Sequence, residues 1–244
     1  IHIWSAIFMS VMTCASIALV QRLAQSTGIR MGIFDLSFAD GKGALHLVLA
    51  LILATLIADF FFYWMHRAMH RSGFLWQHHK LHHMDRNFDA LTSWRQNWIE
   101  WPINVVCIGV PTILLFRLDN LDPFALGLFN GTLIFVLSSL RLINHFNVKI
   151  AFGKASVLVT GPQVHRIHHS YLPQHQDKNF AAYFPIWDIL FGTYFHPAKG
   201  EFPPTGVQGE GDISGFWESQ IFTQREWVRF LRGKRRAPMI RPSA

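Results

Sequence analysis

Three short histidine runs constrain the fold of this chain more than any other feature of its sequence. The runs hold eight of the 14 histidines and read His66-Arg-Ala-Met-His70, His79-Lys-Leu-His82-His83 and His165-Arg-Ile-His168-His169. Residues three and four apart lie on one face of an α-helix, so each run can aim its imidazoles at a common point. Neutral imidazole binds Fe, Zn, Cu or Ni, and four ligands satisfy a structural zinc ion. Eight converging histidines therefore indicate two metal ions.

The composition predicts an all-α integral membrane protein. Half of the 244 residues are hydrophobic and only 15% are charged, and the mean hydropathy is +0.21. A spanning helix needs about 20 apolar residues. About four stretches approach that length, namely 1–23, 44–65, 98–116 and 123–143. Four crossings would return the chain to its starting side of the membrane.

The third and fourth stretches also fit a hairpin of two antiparallel helices. Glu100 lies near the start of the third stretch, and Pro102 and Pro111 would bend it. The short connection before 123–143 suits a tight turn. With either topology, both ends of this pair return to the side on which the second histidine run ends, so all three runs meet there.

Basic residues around the first two runs, together with a basic C-terminal tail, predict that the histidine side faces the cytoplasm. Residues 144–204 read as a histidine-rich helical cap of short helices and loops. Residues 213–231 form an amphipathic pattern that fits an interfacial helix or a helix packed on the cap. No low-complexity linker divides the chain, so residues 1–244 read as a single domain. The net charge of +7 is expected to meet anionic headgroups, and we expect no nucleic acid partner.

The motifs together resemble the fatty acid hydroxylase and sterol desaturase superfamily over about residues 56–194. The resemblance rests on HRAMH, HKLHH and HRIHH in that order around a membrane hairpin. It extends to Asn144-His-Phe-Asn147, Asp177-Lys-Asn179, the WDILFGTY segment from Trp187 to Tyr194, and Asp59 with Tyr63 ahead of the first run. A single such histidine run would be weak support, whereas the set is specific.

This resemblance implies a centre of two iron ions, with zinc as a substitute in a purified sample. It implies that O₂ and two electrons are used to hydroxylate or desaturate a C–H bond of a lipid such as a sterol or fatty acyl chain. It adds His145 to the ligands, which are then His66, His70, His79, His82, His83, His145, His165, His168 and His169. Lys149 stands where some relatives carry a further histidine, so water or Asn147 would complete the second metal.

The remaining histidines are expected to have other roles. His78, His175 and His196 do not fit the ligand spacing and are expected to be structural or to support the ligands, while His2 and His46 lie in or beside membrane spans. Nearby carboxylates are expected to accept N–H bonds from ligand rings, the candidates being Asp85, Asp89, Asp177 and Asp188. Aromatic residues at 60–64 and Trp76 either line a lipid slot or pack between helices.

Electrons are expected to come from a separate donor, because the sequence carries no dinucleotide fingerprint and only two cysteines. A ferredoxin or cytochrome b5-type protein docking on the basic face is the predicted partner. The alternatives are a non-catalytic metal-binding membrane protein and a metal-dependent lipid hydrolase. The compact length and the lack of a visible fused haem domain favour a bacterial inner membrane over the endoplasmic reticulum.

Overall fold

A single long apolar helix, α1, organises the structure. The computed structural model describes residues 11, 15, 16, 19, 22, 26, 32–35, 44–117, 123–211, 213 and 215–233. Helix α1 spans Ala44–Arg71 and has 28 residues. Within the described residues it is the one helix whose length and composition suffice to cross a membrane. It extends beyond the predicted end at residue 65, so the first histidine run lies on its last turns.

The chain then reverses at Ser72, whose side chain accepts a hydrogen bond from the Leu75 amide and caps helix α2 (Gly73–His83). The second histidine run occupies the last turns of α2. Because Ser72 is the only residue between the two helices, the first and second runs are held side by side.

The predicted third span is a shorter, interrupted helix. Helix α3 (Glu100–Asn104) continues through a π-helical turn (Val105–Gly109) into α4 (Val110–Leu115). At 1.5 Å per residue the three segments extend about 24 Å, less than the roughly 30 Å of a bilayer core. The π turn precedes Pro111, which cannot donate to a regular helical ladder.

Helix α5 (Pro123–Asn144) returns the chain toward the histidines. Phe116, just after α4, packs with Ala50 and Ala54 on the early part of α1, and Leu133 of α5 packs against the same cluster. Glu100, at the other end of this arm, contacts His78 beside the second run. Segments α3 to α5 therefore form the hairpin alternative. Strands β1 (Phe34–Asp35) and β2 (Phe116–Arg117) pair in parallel near its tip.

The all-helical fold class agrees with the sequence prediction, whereas four spans do not emerge from the described residues. The predicted span at 1–23 falls almost entirely outside them. In the described part of α5, Gly131–Asn144 is an apolar helix shorter than a membrane span. The side chains at 123–130 lie outside the described residues.

The part after α5 is a cap of short segments. It contains two 3₁₀ turns at Gly153–Val157 and Pro173–His175, helix α6 (Pro162–His168) and helix α7 (Ile186–Leu190), with an earlier 3₁₀ turn at Ala90–Trp94. Helix α8 (Phe216–Leu231) packs along α2. Trp227 of α8 stacks on Phe74 at 4.8 Å between ring centroids and donates to its carbonyl. The segment was predicted to lie in the interface or to pack on the cap at 144–204, whereas the structure packs it on α2.

Candidate metal centre

Two groups of buried imidazoles lie where α1, α2, α5 and α6 meet. Within each group the potential ligand nitrogens are all within 4.8 Å of one another. The larger group contains His66, His70, His79, His83 and His168, and the smaller contains His82, His145, His165 and His169. These are the nine residues named from the sequence. The structure brings all of them together, eight from the runs and His145 from the end of α5.

The grouping follows helix geometry. Each of the three pairs of histidines four residues apart stays in one group: His66 with His70, His79 with His83, and His165 with His169. The histidine between them in a run, three positions after the first, goes to the other group, as His82 does. Adjacent helical residues diverge by about 100°, so one turn of α2 serves both groups.

Ring nitrogens within a group lie at the separations that a shared metal ion imposes. His66 Nε2 is 2.9 Å from His79 Nε2, which is 3.1 Å from His83 Nε2. In the smaller group His145 Nε2 lies 3.3 Å from His82 Nε2. Imidazole nitrogens about 2.1 Å from a common ion are about 3.0 to 3.4 Å apart at coordination angles of about 90 to 110°. The observed separations match this range.

Backbone carbonyls fix the orientation of four of these rings. Nδ1 of each ring is 2.7 to 3.1 Å from a carbonyl oxygen, in the pairs His66 with Phe180, His82 with Thr92, His145 with Arg141 and His168 with Lys178. A carbonyl only accepts, so Nδ1 carries the proton and Nε2 is left as a free lone pair aimed into the group. The sequence-based expectation that carboxylates would accept these protons is wrong for these four rings.

The pair His82 and His145 tests whether a cation fits the site. Both rings donate Nδ1–H to carbonyls, so two Nε2 lone pairs face each other at 3.3 Å. A shared proton would require one ring to be an imidazolium, yet burial lowers the pKa of His145 to about 3. Among the described residues, Nε2 of His70 and both ring nitrogens of His169 are also buried without a hydrogen-bond partner. Facing lone pairs and orphaned nitrogens fit metal ions in both groups.

Burial keeps the rings outside α1 neutral. It lowers the pKa of His168 to about 4, and the pKa values of His79, His83 and His169 lie well below the ordinary value because burial is reinforced by neighbouring rings. Neutral imidazole is the form that binds metal. The protein therefore presents ligands that need not lose a proton when a metal ion binds.

A short segment between α6 and α7 supplies two of the four carbonyls. Asp177 and Asn179 have positive φ values of 57°, a conformation that Asn and Asp tolerate better than most residues. This turn presents the carbonyls of Lys178 and Phe180 to His168 and His66. The side-chain amide of Asn179 donates to the carbonyls of Val164 and Phe195, and these two hydrogen bonds hold the turn in place.

Two buried carboxylates hold the next residues of this segment. Asp188 of α7 accepts from the amides of Phe180 and Ala181, both at 2.8 Å. Asp59 of α1 accepts from the amides of Ala182 and Phe184. Asp188 was named from the sequence as an acceptor for a ligand ring. It acts instead on the backbone that bears the acceptor.

The other three predicted carboxylates bond to groups other than the histidine rings. Asp85 accepts from the Thr92 hydroxyl, and Asp89 caps the 3₁₀ turn that ends at Trp94. Both therefore support the turn whose Thr92 carbonyl meets His82. Asp177 pairs with Arg71.

The unassigned histidines have separate partners. His78 forms a buried contact with Glu100, and His175 lies between Ser170 and Glu201. His196 contacts Tyr194 at 3.2 Å. His46 lies near the start of α1, at the end remote from the ligands, and His2 falls outside the described residues.

Asn147 is engaged away from the metal groups. Its Oδ1 accepts from Arg166, and its Nδ2 donates to the Asn87 carbonyl. Asn147 and Lys149 are both exposed. The structure thus gives no support to Asn147 as a ligand that completes the second site.

Two of the predicted slot aromatics touch ligand rings. Phe62 lies 5.0 Å from His66, and Trp76 lies 5.1 Å from His70 and 5.4 Å from His83, measured between ring centroids. Phe60, by contrast, packs on Trp187 of α7, as ordinary helix packing requires.

The fold and site define a class: helical proteins with a long apolar helix and buried histidine groups able to hold metal ions. Residues 51–193, more than half of the 244-residue chain, match the family model described as fatty acid hydroxylase. The chain belongs to the fatty acid hydroxylase family, as its motifs indicated. The matched region contains all nine histidines of the two groups.

Curated relatives share this region at modest identity. An ornithine lipid hydroxylase of Rhizobium tropici is 28% identical over 65% of this chain and 46% of its own length. An alkylglycerol monooxygenase of Xenopus tropicalis is 29% identical over 70% of this chain and 39% of its own length, and the human alkylglycerol monooxygenase is 30% identical over 58% and 29%. The chain therefore matches less than half the length of each of these proteins. No solved structure matches it significantly.

Proposed function

We propose that this chain is a membrane-bound di-iron monooxygenase that hydroxylates or desaturates a C–H bond of a lipid. It would use O₂ and two electrons from a separate donor. The observation that carries the proposal is the set of nine clustered histidines in two groups, four of them held by backbone carbonyls so that a lone pair is aimed inward. Family membership and the names of the relatives, which act on ornithine lipids and alkylglycerols, support the lipid substrate.

In this proposal the five-histidine group holds one iron ion and the four-histidine group the other. The iron pair supplies the oxidising chemistry when bound. The protein's part is to keep the rings neutral, to fix four of them through backbone carbonyls, and to place the groups side by side. His83 of the larger group stacks on His169 of the smaller at 4.3 Å between centroids, which supports a joint centre.

The lipid would approach along α1. Leu45, Val48, Leu49 and Ile52 are roughly half exposed or more, so this face of α1 can contact acyl chains. His70 is the one ligand of the nine that is only partly buried, and Phe62 and Trp76 lie beside the larger group. These contacts support an apolar entry that excludes water and positions the reacting carbon.

Partner and location follow from the same reasoning. A ferredoxin or cytochrome b5-type donor would dock on the basic surface beside the centre, where Arg71 and Arg86 are exposed. We place the centre on the cytoplasmic face of a multi-pass protein, in a bacterial inner membrane by preference. The apolar helix α1 and the membrane character of the family support a membrane location.

The two rival functions receive less support. A hydrolytic metal site usually mixes histidine with carboxylate ligands, whereas both groups here consist of histidine alone. A metal transporter would need ligands along the interior of the spans. The ligands of α1 instead lie at its last turns.

The test is oxygen incorporation by the purified full chain in nanodiscs. Protein loaded with iron, reduced ferredoxin or cytochrome b5, and ¹⁸O₂ would be incubated with ornithine lipid, alkylglycerol or methylsterol, and products read by mass spectrometry. We expect about two irons per chain, seen as a coupled pair in Mössbauer spectra. The lipid product should carry either a hydroxyl labelled with ¹⁸O or a new double bond without label. Label entering only from H₂¹⁸O, or stoichiometric zinc that iron cannot replace, would refute the proposal.

A further inference from the structure

Helix α8 has two faces of opposite character. The face toward α2 buries Ser219, Phe222, Thr223 and Glu226. Lys80 of α2, itself buried, reaches Glu226 at 2.6 Å. This face is therefore partnered by the metal-bearing helix, and its polar groups are satisfied there.

The opposite face carries a stripe of large apolar side chains. Trp217, Ile221, Val228 and Leu231 are 78%, 49%, 45% and 73% exposed. Their spacings of four, seven and three residues place them on one side of a helix. Gln224 lies in the same row, between Ile221 and Val228. Single exposed apolar residues are ordinary, but four large ones on one side of a helix mark a contact surface. We call these four residues the α8 stripe.

The position of the stripe in the fold indicates what covers it. Trp98 is 48% exposed and its amide donates to the Gln220 side chain on α8. Trp98 also stands just before α3, where the chain begins to run beside α1. The stripe thus lies level with the entry of the apolar hairpin, the depth at which tryptophan is enriched in membrane proteins.

Charge around the stripe favours a bilayer over a protein partner. Arg225 and Arg232 are exposed along α8, and the sequence continues with Lys234, Arg235 and Arg236. Arg229 is half exposed and pairs with Glu226, which also reaches inward to Lys80. An apolar stripe flanked by cations complements the acyl boundary and headgroups of an anionic leaflet.

We propose that α8 lies in the membrane interface, with the α8 stripe inserted at the acyl boundary and its arginines on anionic lipid headgroups. The helix thereby ties α2, and the ligands that α2 carries, to the membrane surface. The occupant is the bilayer itself, and the proposal holds whatever reaction the centre performs.

Spin labels on the full chain in nanodiscs test the proposal. Cys14 and Cys107 would be replaced by serine, and single cysteines placed at the four stripe positions and, as controls, at exposed Lys199 and Glu218. Accessibility to O₂, which concentrates in lipid, would be compared with accessibility to a water-soluble nickel chelate. We expect O₂ to dominate at the stripe and nickel to dominate at the controls.

Two results would overturn the assignment. Nickel-dominated labels at the stripe would place it in water, and labels shielded from both reagents would mean that protein, such as a second copy, covers it. The charge component is tested by nanodisc composition. Stripe labels should lie deeper with phosphatidylserine than with phosphatidylcholine alone, and the difference should vanish in Arg225→Gln/Arg232→Gln; equal depth in both lipids would refute a role for anionic headgroups.

Discussion

The substitution Asp188→Asn should weaken metal binding in the five-histidine group without touching a ligand. Oδ1 of Asp188 accepts from the Phe180 amide and from the Thr193 hydroxyl, and Oδ2 accepts from the Ala181 amide. The Phe180 carbonyl in turn accepts from His66. The change therefore acts through the backbone that orients a ligand ring.

The magnitude follows from the hydrogen bonds. Asparagine can keep the oxygen that serves Phe180 and Thr193, but its NH₂ then faces the Ala181 amide. One buried N–H left without an acceptor costs about 1 to 3 kcal/mol. If that strain is relieved by a shift of the Phe180 carbonyl, affinity for the first metal falls about 10- to 100-fold, the range typical of such supporting groups.

The assay is metal retention against a graded chelator, read as metal per chain. Wild type, loaded with the two ions that we propose, should lose both only at high chelator concentration. Asp188→Asn should lose one ion early and keep the other, because no member of the four-histidine group bonds to the 178–181 carbonyls. Glu218→Gln, an equal charge change at an exposed α8 position, is the control and should match wild type.

Equal weakening of both ions in Asp188→Asn, or retention identical to wild type, would refute the reasoning. The first result would indicate general destabilisation, and the second would mean that the His66 ring is held without its carbonyl. Circular dichroism of the metal-free variant separates a folding defect from a local one.

Further outcomes follow from the same contacts. His165→Ala leaves three histidines in the smaller group, whereas His168→Ala leaves four in the larger; metal analysis should show a greater loss of metal in the former than in the latter, because fewer nitrogens remain. Metal-free protein should lose about 2 kcal/mol of stability from His168 alone between pH 7.5 and pH 5. The pKa of His168 is about 4 in the folded state against an ordinary 6.5. The unfolded chain therefore takes up the proton first as the pH falls, and the stability decreases down to about pH 4. Denaturation that does not depend on pH would contradict this. Lys80→Met removes the buried lysine that pairs with both Glu226 and Glu210 and should cost about 3 to 5 kcal/mol. Adding Glu226→Gln should recover part of this loss; chemical denaturation checks both.

The sequence was sufficient to predict which histidines cluster but not what supports them. Spacing identified the runs because helical periodicity is local. The carbonyls of Phe180 and Lys178 could not be found this way, since any residue has a carbonyl and its direction depends on tertiary structure. The left-handed turn at Asp177 and Asn179 was a usable signal, because these residue types favour positive φ.

The membrane topology was predicted less well for a physical reason. Hydropathy measures the composition of a stretch, not the continuity of its helix. The segment from Glu100 to Leu115 is apolar enough to suggest a span, but its prolines and its π turn shorten it. The hairpin alternative, which rested on the prolines and on the short connection before 123–143, fits the outward course of α3 and α4 and the return of α5.

The division into five and four ligands gives the spacing pattern a structural meaning. In α2 and α6 the outer histidines, four apart, serve one group, and the inner histidine serves the other: His82 leaves its run for the smaller group, and His168 leaves its run for the larger. The two helices thus exchange one ligand each. Neighbouring rings that belong to different groups, His82 with His83 and His168 with His169, are 5.6 and 5.4 Å apart between centroids. Because each of these pairs is joined by a single peptide unit, the separation of the two sites is set by local helix geometry, and neither helix can shift without disturbing both sites at once.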